Sequence, residues 1–396
     1  MNFLVYLNRI LLLLLFFGLC PMSLNKEKTE VTSTFFELCY IGVYLVAFSL
    51  AIGFFGYYAF FTHGIEKIIK DTASISGYSQ TVFVIIIFYS TIVVAVCHKK
   101  AQAKYFNRVN SFDEKLINKL KIGIENSKML CYMIYQYVLI IIAELILYTT
   151  GQLLEGFPDK YVFIFQIFCG FMVLTITLAA LHVRNCGIIL TRRFSILYNQ
   201  LDRITDSPSL STRQCEEVLN VFDLVEDLFV LKHKFGKAFG FQLLLNSAFD
   251  FIYLTIDIYY VLMSLVSNGF QWSDVYKFLA FSLTHIVKNV MLVFVMENLA
   301  SQVDEIRKIA TKASLASNRE MSASLDLLFL KLQHMEKTKY ITANDFFPIN
   351  YAMLYNMGAA IVTHMMILLQ FQQWEDSQKL LASENGTVLA NVSSKN

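Results

Sequence analysis

Charged residues, proline and glycine are scarce in this sequence, and each shortage excludes a class of protein. Only 16% of the 396 residues are charged, and the chain has 4 prolines and 16 glycines. Soluble domains carry about 25% charged residues, whereas disordered and collagen-like chains are rich in proline and glycine. With 56% hydrophobic residues and a mean hydropathy of +0.51, the composition indicates a polytopic membrane protein. The net charge of +2 gives no reason to expect a nucleic-acid partner.

Motifs of disulfide frameworks, metal sites and common enzymes are also missing. The seven cysteines form no CxxC pair, so we expect reduced thiols, buried where they fall in or beside apolar runs (Cys39, Cys97, Cys131, Cys169 and Cys186). The sequence has no HExxH, GxSxG, GxxxxGK[ST] or GxGxxG pattern, and its histidines lack metal-ligand spacing. We therefore expect no enzyme activity, no catalytic residue, no cofactor and no metal.

What the sequence does contain is a series of long apolar stretches. Seven of them are long enough to cross a bilayer, which takes about 20 helical residues. They lie near residues 36–60, 80–97, 129–151, 161–182, 239–266, 275–299 and 352–371. These stretches predict an all-α membrane protein with seven transmembrane helices in one domain, residues 1–371, followed by a tail at 372–396.

Basic residues are distributed unevenly among the segments that connect these stretches. Residues 98–128, 183–238 and 300–351 contain 23 Lys and Arg, whereas the connections on the other side, together with the tail, contain 5. Basic connections stay in the cytoplasm. The distribution therefore predicts a cytoplasmic N-terminus and an extracellular C-terminal tail.

Glycosylation sequons and tryptophans agree with this orientation. The N-x-[ST] sequons are at Asn385 and Asn391, both in the tail that is predicted to be extracellular. Trp272 and Trp374 both fall at the predicted outer interface, as residues of an aromatic belt do.

Two parts of the predicted cytoplasmic side have further helical character. The apolar run at 10–20 has the length of a signal-peptide core, but the charge distribution favours a cytoplasmic helix that packs or lies at the interface. Segments 215–235 and 321–336 show apolar residues at helical spacing. We expect these segments to form an inner cytosolic layer of helices.

The seventh apolar stretch carries polar residues at a regular interval. Asn356, Thr363 and Gln370 are seven residues apart, and Met366 and Ile367 lie on the same stripe of the helix. Such a stripe is typical either of a packing seam between helices or of the wall of a water-filled pathway. Spacing alone does not distinguish the two interpretations.

Four ionisable residues fall inside other apolar stretches, where each needs a partner. Counting residues inward from the predicted outer ends pairs Asp257 with His285 at matching depth. Asp250 with Lys288 is the deeper candidate pair, and its two members are offset by about one helical turn. These groups form either structural ion pairs or a wet cavity that opens outward. The candidate lining of that cavity is Glu144, Asp257, Tyr259, Tyr260 and His285.

The C-terminal stretch also resembles a known signature. The segment Thr363-His364-Met365-Met366-Ile367-Leu368-Leu369-Gln370-Phe371 is similar to the TYhhhhhQF motif of insect gustatory receptors, with His364 where tyrosine is usual. Phe346-Phe347-Pro348-Ile349-Asn350 before it resembles the lead-in of the same family. The similarity is sharp over about 320–371; elsewhere it depends on length, seven helices and an inverted orientation.

The resemblance implies a ligand-gated, non-selective cation channel that assembles as a homo- or hetero-tetramer of gustatory receptor subunits in the plasma membrane of chemosensory dendrites. It implies a pore lined by the seventh helix, and the corresponding residues here are Asn356, Thr363, Met366, Ile367, Gln370 and Phe371, the last two near the gate. Met365 stands where sugar receptors usually have an acidic residue, so a bitter tastant, another non-sugar or a contact pheromone is expected. A metabotropic receptor and, less favoured, a transporter are the alternatives.

Overall fold

The computed structural model describes residues 3–25, 27, 29–62, 72–155, 160–206, 211–267, 272–316 and 339–393. The predicted helix at 321–336 lies outside these residues. The helices are α1 (Phe3–Phe16), α2 (Phe35–Thr62), α3 (Thr72–Leu120), α4 (Asn126–Glu155), α5 (Lys160–Thr205), α6 (Thr212–Ser267), α7 (Trp272–Ala316) and α8 (Tyr351–Ser393). Two antiparallel hairpins pair β1 (Ser23–Leu24) with β2 (Val31–Thr32) and β3 (Thr342–Ala343) with β4 (Phe347–Pro348).

Helices α2 to α8 are each long and apolar enough to cross a membrane, which confirms the predicted all-α fold with seven candidate spans. Several of them continue far beyond their apolar stretches. Helix α6 has 56 residues and is therefore about 84 Å long, against about 30 Å of bilayer hydrocarbon. The predicted helical segment 215–235 is the first part of α6. We call the end of the bundle that holds residues 98–128, 183–238 and 300–351 the basic end, and the opposite end the short-loop end.

Ion pairs join the extensions of α3 and α6 at the basic end. Asp227 of α6 accepts from Lys115 at 2.6 Å and from Arg108 at 3.3 Å, and Lys119 lies 2.9 Å from Asp223. These side chains are partly exposed, so each pair adds at most about 1 kcal/mol to stability. Apolar packing between α3 and α6, the most extensive helix contact in the chain, holds the extensions together.

The N-terminal helix α1 belongs to the largest hydrophobic core, which lies at the basic end. Its buried residues are Phe3, Leu4, Leu7, Ile10, Leu11 and Leu14. Burial of such side chains stabilises a fold by about 1.5–3 kcal/mol each. The first part of the apolar run at 10–20 is thus a packed helix in this structure, as the charge distribution led us to expect.

A buried ion pair stands at the centre of this core. Arg193 of α5 is fully buried and binds Asp113 of α3 with two nitrogens, Nε at 2.8 Å and Nη2 at 2.6 Å. Asn126, at the start of α4, donates to the same carboxylate at 3.0 Å, and the Phe3 ring lies 5.3 Å from the guanidinium. One charged pair therefore links α1, α3, α4 and α5.

Two sequence-based expectations need correction. Free thiols are found for the six cysteines whose side chains are described, but Cys39, Cys97 and Cys131 are exposed rather than buried. These side chains project from the outward faces of their helices, where apolar character suits contact with lipid as well as a core. The seventh predicted span also continues as helix to Ser393, well beyond residue 371, because the polar sequence that follows contains no proline.

Candidate functional site

A cavity of about 510 Å³ opens between α3, α4, α5 and α6 towards the short-loop end. Its walls are mainly aliphatic and aromatic side chains, as is usual for sites that take small molecules. The lining residues are Gln80, Thr81, Val84, Glu144, Leu145, Tyr148, Thr149, Phe163, Gln166, Ile167, Cys169, Gly170, Phe171, Val173, Leu174 and Tyr253.

Two polar atoms in the cavity wall have no hydrogen-bond partner among the described residues. They are the hydroxyl of Tyr148 on α4 and the amide oxygen Oε1 of Gln166 on α5, and both atoms are buried. An unpaired buried polar group costs about 1–3 kcal/mol. A molecule that offers a donor and an acceptor here would recover this cost. The carboxyl of Glu144 adds an ionisable group to the same wall.

Gly170 sets the position of the Tyr148 ring. A Cβ atom at residue 170 would lie 3.2 Å from Cδ2 of Tyr148 and 3.3 Å from Cε2. A residue larger than glycine would therefore press on the Tyr148 ring, which would have to shift by a few tenths of an ångström.

Of the five residues predicted to form a ligand pocket, Glu144 lines this cavity directly. Asp257 accepts a hydrogen bond from Gln80, a lining residue, at 2.9 Å. The His285 ring lies 4.5 Å from that of Tyr253, another lining residue. Asp257 and His285 thus form a layer behind the wall. The side chain of Tyr260 lies outside the described part of the chain, and Tyr259 points towards α8 instead.

The ionisable residues on α6 and α7 form a compact cluster around Asp250, and Asp257 lies apart from it. Asp250 accepts from His285 at 2.7 Å, from Lys288 at 2.5 Å and from Asn289 at 2.7 Å. The predicted pair of Asp250 with Lys288 is therefore present.

The predicted contact between Asp257 and His285 is wrong. Asp257 instead accepts from Ser282 at 3.0 Å, three residues before His285 on α7. The two helices are thus displaced by about one turn from the alignment that counting from the loop gives. The displacement brings His285, Lys288 and Asn289, which share one face of α7, to the single carboxylate of Asp250.

Over residues 351–378, where its side chains are described, helix α8 leaves most of its surface uncovered. All six residues predicted to line a pore are exposed in the single chain: Asn356, Thr363, Met366, Ile367, Gln370 and Phe371. The opposite face packs on the bundle through Ile361 and Gln372, which are buried. The hydroxyl of Tyr259 on α6 donates to Oε1 of Gln372 at 3.2 Å.

His364, the residue that departs from the family signature, contacts α6. Its ring meets the ring of Phe251 edge-on with 5.4 Å between centroids, and its Nδ1 lies 2.8 Å from the carbonyl oxygen of Ala360. His364 therefore contributes to the packing of α8 on α6 through this ring contact, although it is an exposed residue.

Tyr148, Gln166 and Tyr253 were missed by the sequence analysis. Each is a single residue in an apolar helix, without the spacing that marked the pair on α6. The only signal for Gln166 is a lone amide in an apolar stretch, which needs a partner in a membrane. Within the described ranges, no three His, Cys, Asp or Glu side chains come together in a way that could hold a metal ion.

Comparison with known proteins gives consistent matches. The model of the family described as 7tm Chemosensory receptor matches residues 7–375. Gustatory receptor 68a of Drosophila melanogaster is 22% identical over 229 residues, which are 57% of this chain and 58% of that protein. Gustatory and pheromone receptor 39a, isoform B, of Drosophila melanogaster is 24% identical over 196 residues, 48% of this chain and 49% of the relative. The chain thus aligns with about half of the length of these relatives.

Solved structures show the same fold. The insect olfactory receptor OR5 from Machilis hrabei superposes with a TM-score of 0.63 over 92% of this chain and 98% of the receptor, at 11% identity. The same receptor in complex with eugenol gives a TM-score of 0.59 over 92% and 97% of the two chains, also at 11% identity.

Proposed function

The chain belongs to the 7tm chemosensory receptor family, and from this we propose that it is a gustatory receptor that acts as a ligand-gated, non-selective cation channel. It is a multi-pass membrane protein with seven candidate spans. In the proposal it works in the plasma membrane of chemosensory dendrites, as a homo- or hetero-tetramer of gustatory receptor subunits. Its N-terminus is cytoplasmic and its C-terminus is extracellular.

The observation that carries the channel proposal is the exposed stripe of α8. Asn356, Thr363 and Gln370 share the side of the helix opposite the buried Ile361 and Gln372. Thr363 satisfies its hydroxyl by donating to the carbonyl oxygen of Ala359 at 3.0 Å. The exposed amides of Asn356 and Gln370 are unfavourable in lipid alone, because they need water or other protein as neighbours. Around a shared axis, four such stripes would form a wet pore that is lined by neutral polar groups and narrowed by Phe371.

The cavity supports a small, mostly apolar ligand with one or two hydrogen-bonding groups. Its walls are largely hydrocarbon, and Tyr148 and Gln166 supply an unpaired hydroxyl and an unpaired amide oxygen. A sugar would need many more polar partners than this wall offers. We propose a bitter compound, another non-sugar tastant or a contact pheromone, in keeping with the name of the relative called gustatory and pheromone receptor 39a.

Helix α6 connects the cavity with the pore helix. Tyr253 lines the cavity, and Tyr259, less than two turns further along α6, donates to Gln372 of α8. Ligand binding that displaces α6 would therefore also move α8. In our proposal the ligand binds the open arrangement more tightly than the closed one, and this difference in affinity sets how far the channel opens.

The proposal is tested with Gln370→Ala. Currents are recorded from excised patches without nucleotide or G protein, using cells that respond to an agonist found by screening. We expect wild-type patches to conduct and Gln370→Ala to change the unitary conductance, because the side chain lines the pore, while surface expression stays the same.

The matched control is Val362→Ala. Val362 is also exposed on α8 but lies about 80° around the helix from Gln370 and is not one of the six residues assigned to the pore. Its substitution should leave unitary conductance as in the wild type. Silent excised patches from cells that respond when intact would support a metabotropic receptor instead. Equal unitary conductance in the wild type and both variants would contradict the assignment of Gln370 to the pore lining.

A further inference from the structure

A second cavity, separate from the one above, lies between α4, α5 and α7. It has a volume of about 290 Å³, and most of its lining is apolar. Two of the described lining residues, Arg184 on α5 and Lys288 on α7, are basic, and none of them is acidic. The cavity therefore combines an apolar interior with positive charge.

The charge of Arg184 is not compensated by the described residues. Its Nη2 donates to the neutral Oε1 of Gln136 at 2.6 Å and lies 3.4 Å from Oδ1 of Asn185. Its Nε is buried and has no hydrogen-bond partner in the described part of the chain. Lys288, in contrast, lies 2.5 Å from Asp250. An uncompensated guanidinium next to hydrocarbon is costly, so this group favours an anionic partner.

The cavity is open to the lipid-facing surface of the bundle. Leu283, Val287 and Met291 line it and are also exposed on the outside of α7. Thr177 lies seven residues before Arg184, about 10 Å further towards the short-loop end, and its buried hydroxyl has no partner among the described residues. The cavity can thus accept a long molecule from the membrane, with polar partners at two depths.

Along α5 towards the short-loop end, the charged Arg184 is followed by the apolar part of the cavity, in the same order as the headgroup and the acyl chains of a phospholipid. Arg184 lies two residues beyond the apolar stretch 161–182, at the level where a bilayer has its headgroups. The apolar part of the cavity extends from there towards the middle of the bilayer. We infer that this cavity binds an anionic phospholipid of the leaflet at the basic end, with its headgroup on Arg184 and one acyl chain along Leu283 and Val287.

Bound lipid joins three helices that otherwise meet around a void. Its headgroup contacts α5, and its chain contacts α4 and α7, next to the Lys288–Asp250 pair. The site is separate from the cavity of about 510 Å³ that we propose binds the tastant, which we call the tastant cavity. Its existence does not depend on which agonist opens the channel or on whether the chain conducts ions.

The test is competition between two lipids for the purified full-length chain. The protein in detergent receives equal amounts of phosphatidylglycerol and phosphatidylcholine, and native mass spectrometry counts the lipids that it retains. We expect the wild type to prefer phosphatidylglycerol by about tenfold. Both lipids offer a phosphate to Arg184, but the choline cation of phosphatidylcholine offsets the phosphate charge and is repelled by the guanidinium, and a difference of about 1.4 kcal/mol gives this ratio. Arg184→Gln should lose this preference, whereas Arg184→Lys should keep part of it.

A charge control and a volume test complete the experiment. Lys100→Gln removes an exposed positive charge at the same end of the bundle and should retain the wild-type preference. Val287→Trp keeps both cavity charges but fills the opening, so it should lose both lipids. Ile286→Trp, at a neighbouring exposed position outside the cavity, should retain them.

Three results would overturn the inference. One is equal retention of both lipids by the wild type, which would mean that charge plays no part. Another is a loss of preference in Lys100→Gln as large as that in Arg184→Gln, which would indicate general surface attraction. The third is lipid binding by Val287→Trp at the wild-type level, which would place the lipid outside the cavity.

Discussion

At the scale of single residues, the tastant cavity depends on a few polar atoms without partners. The Tyr148 hydroxyl is buried and unpaired among the described residues, and Gly170 holds its ring in place. Because no described residue pairs with this hydroxyl, a ligand that accepts a hydrogen bond from it gains that bond on binding. If the proposed function holds, Tyr148 should contribute to agonist affinity more than to the stability of the fold.

Tyr148→Phe should raise the half-maximal agonist concentration about tenfold, since a lost hydrogen bond of about 1.4 kcal/mol has this effect. Calcium imaging of responding cells measures the shift. Tyr135→Phe, at an exposed position on the same helix, is the control and should respond as the wild type does. An unchanged agonist response in Tyr148→Phe would argue against ligand contact at this hydroxyl.

At the scale of helices, α8 is attached to the bundle by few contacts. Gln372 is its one buried polar side chain within the described residues, and it joins Tyr259 of α6 to Asp376 of α8 through hydrogen bonds of 3.2 and 3.1 Å. This hydrogen bond can influence the position of α8, although Gln372 itself faces the bundle and not the proposed pore.

Gln372→Leu should shift the agonist concentration for half-maximal current and leave unitary conductance unchanged, in contrast to Gln370→Ala. Tyr259→Phe should cause a shift of its own, and the double variant should differ from the sum of the single effects by about 0.5 kcal/mol or more, because the two side chains form one bond. Additive effects would mean that the bond does not couple ligand and pore. Gln373→Leu is the exposed control.

At the scale of the whole molecule, orientation in the membrane decides what each end contacts. The 23 basic residues in segments 98–128, 183–238 and 300–351 predict that the extended end of the bundle lies in the cytoplasm. The tastant cavity then opens towards the outer half, where a tastant arrives, and the packed helix α1 lies inside.

This orientation predicts that an epitope tag after Asn396 is stained on intact cells, whereas a tag before Met1 is stained only after permeabilisation. Glycosidase treatment should increase gel mobility in the wild type and have no effect on the double variant Asn385→Gln/Asn391→Gln. Staining of the N-terminal tag on intact cells would contradict the orientation, and with it the assignment of the cavity to the outer half.

The sequence determined the number of spans, the family and the stripe on α8. A helix crosses a bilayer because of its own length and apolar content, so local composition is sufficient to find it. The seven-residue interval of Asn356, Thr363 and Gln370 likewise fixes a common face within one helix, and the structure leaves that face exposed.

Only the tertiary structure decided how the helices are aligned and what lies between them. Asp257 meets Ser282 and Gln80 instead of His285, because side-chain packing along α6 and α7 sets their relative displacement, and counting from a loop misses it by one turn. The cavity walls come from four consecutive helices, and their lining residues are spread along the chain from Gln80 to Tyr253. Gly240, where a Cβ would lie 3.0 Å from the backbone nitrogen of Asn344, makes room for the hairpin of β3 and β4. Such contacts join residues that no local pattern relates, so their geometry exists only once the chain has packed.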